Sequence, residues 1–479
     1  MKASLVLSAL AGAVSAATPG PLDVDLDSPA SIKAACKTIA AALMEYYHGD
    51  EYGRTPGILD GPPPAGDYYW WEGGALWGTM VDYWHYTGDT TYNDVAESSL
   101  IFQAGAPQNS YMPPNWTASL GNDDQGFWGM SAMLAAEVKF QNPPSDQPQW
   151  LALAQAVFNT QAAPDRHDDT CGGGLRWQIP WSNNGYDYKN SIANGIFFNM
   201  GARLARYTDN DTYAKIAEDT WNWEVGVGLM SDKYDVYDGA HVPLNCTDVF
   251  KAQFSYNAAV WLQGAAFMYD YTNGSAKWEA HVAGLVNRTI SVFFSKGAAV
   301  EVSCELEDKI GCKTDMLSFK GYLHRWMVTA GQLAPFLKTQ IMTTLKASAR
   351  GAADSCLSNG TCGFRWTTGS YDGVVGAGQQ MNALAALSSL LVDESGVTGP
   401  LTNTTGGTSV GDPNAGQDPP SLQPAGPATT GAKAGAGILT AFVLSLMMVI
   451  MFWMSMNWNE RPGKGERILS EKGKGVEYR

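Results

Sequence analysis

The segment Gly121-Asn122-Asp123-Asp124-Gln125-Gly126-Phe127-Trp128-Gly129 sets two adjacent carboxylates at the start of a stretch that continues with helical periodicity. Two acids crowded among aromatic rings and closely approaching glycines can be driven to different pKa values. One then stays ionised as a nucleophile or base while the other keeps a proton to donate. The same pattern also reads as ordinary helix chemistry, in which Asn122 or Asp123 caps the helix and the second aspartate complements its dipole. Acid–base work demands that both side chains open into a cleft, so the elements around them decide between the readings.

Those elements are helices. Apolar and small residues recur at helical spacing in 75–86, 126–140, 192–207, 257–271, 323–336 and 376–391, while strand-like alternation is rare. Three of the segments end in a shared phrase, Tyr86-Thr87-Gly88-Asp89, Tyr207-Thr208-Asp209-Asn210 and Tyr271-Thr272-Asn273-Gly274. In each, Gly, Asn or Asp stops one helix and a following aromatic opens the next. Successive long helices begin about one helical hairpin plus a loop apart, so six hairpins account for the domain. Closing them into a ring, an all-α (α/α)6 toroid, gathers the loops at a central cleft. A helical solenoid has the same periodicity, but Gly- and Trp-rich loops suit a cleft better than a stacking interface.

The chain carries a net charge of −16, which excludes the basic footprint that nucleic acid requires. Aromatic residues make up 11%, with 17 Trp, enough to supply stacking faces for sugars as well as core. Residues 1–17 read as a secretory signal, with Lys2, an apolar run and Val14-Ser15-Ala16 as a cleavage site. A globular domain is expected over 18–396 and a flexible Gly/Pro/Thr stalk over 397–436. The uncharged run 437–456 has the length of a transmembrane helix. The tail 457–479 has six basic residues against four acidic ones, which places it in the cytoplasm and the large domain outside. Small residues before the apolar run also fit a glycolipid-anchor signal, but the polar tail favours a retained single-pass anchor.

Seven N-x-[S/T] sequons, at Asn115, Asn210, Asn245, Asn273, Asn287, Asn359 and Asn403, suit a secretory glycoprotein. Cys304 with Cys312, and Cys356 with Cys362, are spaced as local disulfide staples, and among Cys36, Cys171 and Cys246 one must then stay unpaired. No cysteine or histidine cluster has metal spacing, so neither metal nor cofactor is expected. No pattern reports an oligomeric state.

The aspartate segment resembles the Asp-Asp signature of glycoside hydrolase family 76, the endo-1,6-α-mannosidases, and in particular its fungal cell-wall branch. The similarity continues through Ser191-Ile192-Ala193-Asn194-Gly195, Tyr237-Asp238-Gly239, Phe254-Ser255-Tyr256-Asn257 and Phe319-Lys320-Gly321 with Arg325, and so covers about residues 46–391. The resemblance implies an (α/α)6 barrel that retains anomeric configuration, with Asp123 as nucleophile and Asp124 as general acid/base on α-1,6-linked mannose glycans. Asn194 and Asp238 become candidate hydroxyl ligands. Trp71, Trp128, Trp177 and Tyr256 become candidate stacking platforms, although each ring is as well suited to core packing. Lys320 and Arg325 become candidates for contacting an anionic group. The stalk and membrane segment depart from a purely secreted hydrolase and point to a tethered enzyme at the wall face, acting as hydrolase or transglycosidase. A non-catalytic glycan-binding surface protein of the same fold is the alternative from another class.

Overall fold

A computed structural model describes residues 19–306, 309–417 and 430–456. The expected signal segment, the expected cytoplasmic tail and residues 418–429 of the expected stalk lie outside the described residues.

Among the described residues, twelve α-helices form the domain: α1 (Pro29–Met44), α2 (Trp70–Thr87), α3 (Asn93–Phe102), α4 (Asn122–Glu137), α5 (Trp150–Gln161), α6 (Ser191–Thr208), α7 (Asp211–Val227), α8 (Ser255–Tyr271), α9 (Ala276–Phe293), α10 (Phe319–Leu333), α11 (Lys338–Asp354) and α12 (Ala377–Ser388). The even-numbered helices pack each on the next, and α12 packs on α2, which closes a ring. Each odd-numbered helix lies against that ring, with α1 covering α12. The architecture is therefore a closed (α/α)6 barrel. The six periodic segments of the sequence are the six inner helices, which bury nearly every side chain because they touch neighbours on all sides.

Close approach between inner helices is made possible locally by glycine. A Cβ on Gly74 of α2 would lie 2.8 Å from the Trp128 ring of α4, and one on Gly264 of α8 would lie 3.1 Å from the Asn199 backbone of α6. Two buried ion pairs cross the ring, Arg325 Nε to Asp82 at 2.5 Å and Arg203 Nη2 to Glu137 at 2.7 Å. The shared turn phrase joins an inner helix to its outer partner. Thr87, Thr208 and Thr272 each donate their hydroxyl to the carbonyl four residues back, and Gly88, Asp209 and Asn273 take positive φ to leave the helix. At the other end the loops are long. They include a small antiparallel sheet, β1 (Tyr188–Asn190), β2 (Gly239–His241) and β3 (Val249–Phe250), in the order β1-β2-β3.

Disulfides join Cys304 to Cys312 and Cys356 to Cys362, as the spacing predicts, and a third joins Cys171 to Cys246 across 75 residues. Cys36 is the buried free thiol. All seven sequon asparagines are exposed.

The expected stalk needs correction over 397–417. This segment runs across the barrel and belongs to the same unit, which extends to Gln417. Leu401 N–H donates to Glu137 O at 2.8 Å, Asn403 N–H to Tyr207 O at 3.1 Å, and Asp412 N–H to Gln155 Oε1 at 2.7 Å. Asn159 donates to Ala415 O at 2.8 Å. Composition missed this strap because it is held by hydrogen bonds and small-residue contact, with little apolar burial. By itself, α13 (Thr430–Met456) is a helix whose Leu, Met, Val and Phe side chains are exposed. Among the described residues no helix is long and apolar enough to cross a membrane.

The strap gives a direct test. A side chain at Gly411 would meet Gln155 Oε1 at 2.6 Å and Leu151 at 2.7 Å. Gly411→Leu should therefore lower the melting temperature by roughly 2–5 °C and open 399–417 to limited proteolysis. A freely flexible stalk would show neither change.

Candidate active site

Five of the six inner helices, α2, α4, α6, α8 and α10, bring residues at their N-termini to one cleft. Trp71 enters it from the first turn of α2, Asp123 and Asp124 from α4, Tyr256 from α8, and Phe319 from α10, while Asn190 arrives from the N-cap of α6. The cavity measures about 750 Å³. Its rim carries Trp177, Tyr69 and Phe250, all exposed. Tyr256 and Phe319 stack face to face at 3.8 Å, so one face of Tyr256 is already occupied.

Gly121 is the N-cap of α4, with extended backbone, and not Asn122 or Asp123. Asp124, at the third helical position, reaches back to accept the Gly121 N–H at 2.6 Å, and Asp123 accepts the Asp124 N–H at 3.0 Å. Capping chemistry is thus present, yet both carboxyls also line the cavity.

Asn122 fixes the start of this helix, and all four of its polar groups are held from the loop after α5 or from α5 itself. Its N–H donates to Trp177 O at 2.8 Å and its Nδ2 to Arg176 O at 2.8 Å. Its Oδ1 accepts from Arg166 at 2.7 Å and its carbonyl from Gln161 at 2.7 Å. Arg176 and the buried Lys189 in turn share Asp168, which keeps that loop in place.

Burial and the neighbouring Asp124 carboxyl push Asp123 well above the usual carboxylate range, against the Asp124 N–H bond that favours its anion. Burial pushes Asp124 up to about 7, opposed by the Gly121 N–H bond and reinforced by the charge of Asp315. Two carboxyls this close titrate as a pair, so between its two steps the pair holds one proton and one negative charge. That is the state in which a nucleophile and an acid coexist.

Of the other candidates, Trp71, Trp177, Asp238 and Tyr256 line the cleft with the aspartates. Asp238 accepts the Tyr188 hydroxyl at 2.8 Å, and burial raises its pKa. Four candidates lie elsewhere. Trp128 is fully buried a turn below Asp124, stacked between Trp70 and Tyr111 where the α2 glycines leave room. Asn194 is buried and spends its amide on Leu175 N, Leu175 O and Asn190 O, which holds the loop leading to Trp177. Lys320 points away from the cleft to Glu305 at 2.7 Å and Phe364 O at 2.7 Å. Arg325, two turns down α10, is the partner of Asp82. A motif residue next to a cleft residue on a helix faces another direction, which sequence order alone does not display.

Asp315 was missed. It lines the cavity and accepts the Trp71 indole N–H at 3.1 Å. Its signal was present, since it is an acid just ahead of the Phe319-Lys320-Gly321 helix start, much as Asp123 opens α4. Tyr188 and Gln178 also line the cleft and carried no pattern. Among the described residues, no group of three or more His, Cys, Asp or Glu is placed to hold a metal ion.

Comparison with known proteins gives a consistent set of likenesses. The sequence model of glycosyl hydrolase family 76 matches residues 31–404. A mannan endo-1,6-α-mannosidase of Saccharomyces cerevisiae is 45% identical over 444 residues, covering 90% of this chain and 95% of that protein. The crystal structure of Dfg5 from Chaetomium thermophilum, in complex with glucosamine, superposes with a TM-score of 0.79 at 53% identity, covering 82% of this chain and 97% of that one. An inactive α-1,6-mannanase variant from Salegentibacter, with two consecutive aspartates replaced by asparagine and α-1,6-mannotriose bound, shares the fold at a TM-score of 0.61 and 14% identity, covering 75% and 99%.

The raised carboxyl has a consequence for stability. Folded Asp124 keeps its proton up to about pH 7, whereas an unfolded aspartate loses it near pH 4. Between those values the folded state binds more protons, so this group lowers stability as pH rises. Asp124→Asn keeps an acceptor for Gly121 and removes the penalty. Calorimetry should find the variant and parent alike near pH 4, and the variant more stable by on the order of 1–2 kcal/mol at about pH 7.5, after discounting for solvent in the cleft. Equal stability at both pH values would contradict this account of the pair.

Proposed function

The chain belongs to glycosyl hydrolase family 76, and from that membership we propose that its cleft catalyses retaining, endo-acting cleavage or transfer at α-1,6-linked mannose in mannan or mannose-containing anchor glycans. It is a glycosidase of the fungal mannan endo-1,6-α-mannosidase kind, with a place in cell-wall biogenesis. The observation that carries the reading is the Asp123–Asp124 pair, open to a cavity several times the volume of one sugar ring and walled by aromatic faces. A non-catalytic receptor is not favoured, because it has no use for two carboxyls kept at the cost of stability in a cleft.

Asp123 is assigned as the nucleophile that attacks the anomeric carbon, while Asp124 protonates the leaving glycosidic oxygen. Asp124 then takes a proton from the incoming acceptor, water or a sugar hydroxyl, as that acceptor displaces Asp123 from the glycosyl-enzyme. Retention requires carboxyls about 5–5.5 Å apart, a separation within reach of neighbours in the first turn of a helix. The N-terminus of α4 favours the anion that attacks. Burial raises both carboxyls, so the pair retains one proton for the acid step while its other member is the anion. Asp238, held by Tyr188, is positioned to accept a sugar hydroxyl, and Trp177 to stack on a sugar face. The Salegentibacter mannanase variant with two consecutive aspartates replaced together is inactive, which fits a reading in which such a pair is catalytic.

The barrel is assigned to the extracytoplasmic side of a secretory or plasma membrane, tethered through α13. Support comes from seven exposed sequons, three disulfides and the exposed apolar side chains of α13.

Asp123→Asn and Asp124→Asn should each sharply reduce turnover of α-1,6-mannotetraose while differing in kind. The Asp123 variant should fail even on substrates with an activated leaving group. The Asp124 variant should lose about 10² to 10⁴ in rate on ordinary glycosides, still load activated ones, and release the sugar to azide. Azide rescue of the Asp123 variant alone would reverse the roles, and normal turnover by both would end the assignment. Topology is checked separately with protease on intact spheroplasts, which should remove the barrel and protect an epitope at residue 479. An epitope absent from the mature protein would establish a glycolipid anchor instead.

A further inference from the structure

The mechanism gives work to Asp123, Asp124 and Asp238 and leaves a fourth carboxylate of the same cavity without a role. Asp315 opens the short turn Asp315–Ser318 that runs into α10. Its Oδ1 accepts the Trp71 indole N–H, so α2 determines where its charge sits. The preceding loop is closed by the Cys304–Cys312 disulfide and tied to α10 by the buried Lys320–Glu305 pair. This is a carefully held position for a side chain that forms no salt bridge of its own among those found. Among the described residues, no lysine or arginine lines the cavity with it.

The groups facing Asp315 come from every neighbouring element. Tyr69 and Glu72 lie at the start of α2, with Glu72 buried and pushed well above the usual carboxylate range. Asp123 and Asp124 lie on α4, Tyr256 on α8, Tyr322 on α10, and Lys313 on the same loop. Burial raises the pKa of Asp315, while the Trp71 N–H, its own backbone and Lys313 favour its anion. Asp238 provides an internal comparison. It lines the same cavity but is engaged by Tyr188 and Asn257 on the sheet side, and the charge that most raises the pair from outside it is that of Asp315.

We propose that Asp315 is a third working carboxylate of this cleft, a positioning residue whose negative charge keeps the catalytic proton on the Asp123–Asp124 pair. The proposal rests on the reading of that pair as nucleophile and acid. An anion fixed by an indole N–H makes a second ionisation nearby more costly, and so extends the pH range over which the acid is loaded. Asparagine at 315 keeps the size and the acceptor for Trp71 and deletes only the charge. With the charge gone the pair ionises more readily, so its proton is lost at lower pH.

The test uses the full chain and two readouts. One is the pH profile of kcat/KM on α-1,6-mannotetraose. The other needs no turnover: carbodiimide coupling of an amine to protonated carboxyls as a function of pH, read by mass spectrometry on the peptide spanning Asp123 and Asp124. In Asp315→Asn the alkaline limb of the profile and the labelling midpoint should both move about one unit toward lower pH. Asp315→Glu should restore both toward the parent, and Asp238→Asn should lower turnover without moving either. Asp315→Ser, which suits the start of a helical turn, gives the same comparison if the asparagine variant folds poorly. A labelling midpoint unchanged in the Asn and Ser variants overturns the proposal, as does an equal shift in Asp238→Asn. A parent enzyme inactive on the mannoside whose labelling midpoint still shifts in Asp315→Asn upholds the electrostatic role while the substrate reading fails.

Discussion

Closure of the inner ring, α12 onto α2, is the constraint from which the rest follows. Six helices that run in the same sense around a ring must place all their N-termini at one end. That end collects unpaired backbone N–H groups and the positive ends of six helix dipoles. Carboxylates are the side chains such an end accommodates best, and Asp123, Asp124 and Asp315 are found there. Burial in the same cleft acts in the opposite sense and makes a full set of anions costly. The outcome of that competition is a cleft that holds acids and keeps some of them protonated, which is the condition acid–base chemistry needs.

Holding such a site requires that its supports not compete with it. Asn122 meets this requirement by satisfying all of its polar groups with Gln161, Arg166, Arg176 and Trp177, on the side of the helix away from the cavity. Trp128 works from below, wedged between Trp70 and Tyr111 against the glycines of α2. The residues beside the chemistry are therefore free to face a sugar, because their immediate sequence neighbours absorb the packing and hydrogen bonding. The buried pairs Arg325–Asp82 and Arg203–Glu137 do the same for the barrel interior. Removing one partner of either would leave an uncompensated buried charge, so these charges belong to the frame.

The strap at 397–417 and the small sheet illustrate two ways of using residues with little apolar content. The strap spreads hydrogen bonds over the carbonyl ends of α4 and α6 and along α5, reaching places a bulkier chain could not. The sheet, of eight residues in three strands, brings Tyr188 and Phe250 to the wall of the cleft and sets Asp238 just before β2. Neither would be stable alone, and both depend on the helices they cover.

Local pattern determined much of this protein. The inner helices were legible because residues packed on all sides must be apolar or small at every turn, and the three Thr-containing turns were legible because a helix end needs a residue tolerant of positive φ. The aspartate pair was legible as a candidate because two acids at a helix start among aromatics is a costly combination. Two disulfides followed from spacing. Direction was what only the tertiary structure decided. Lys320 sits beside Phe319 and Trp128 beside Phe127, yet in each couple the phenylalanine faces the cleft and its neighbour does not, since adjacent residues on a helix point about 100° apart. Asp315 is fixed in the cleft by a contact with Trp71 that spans 244 residues of sequence. A strap with no hydrophobic pattern docks because the surface it meets supplies the hydrogen-bond partners, and the chain that supplies them is far away in sequence.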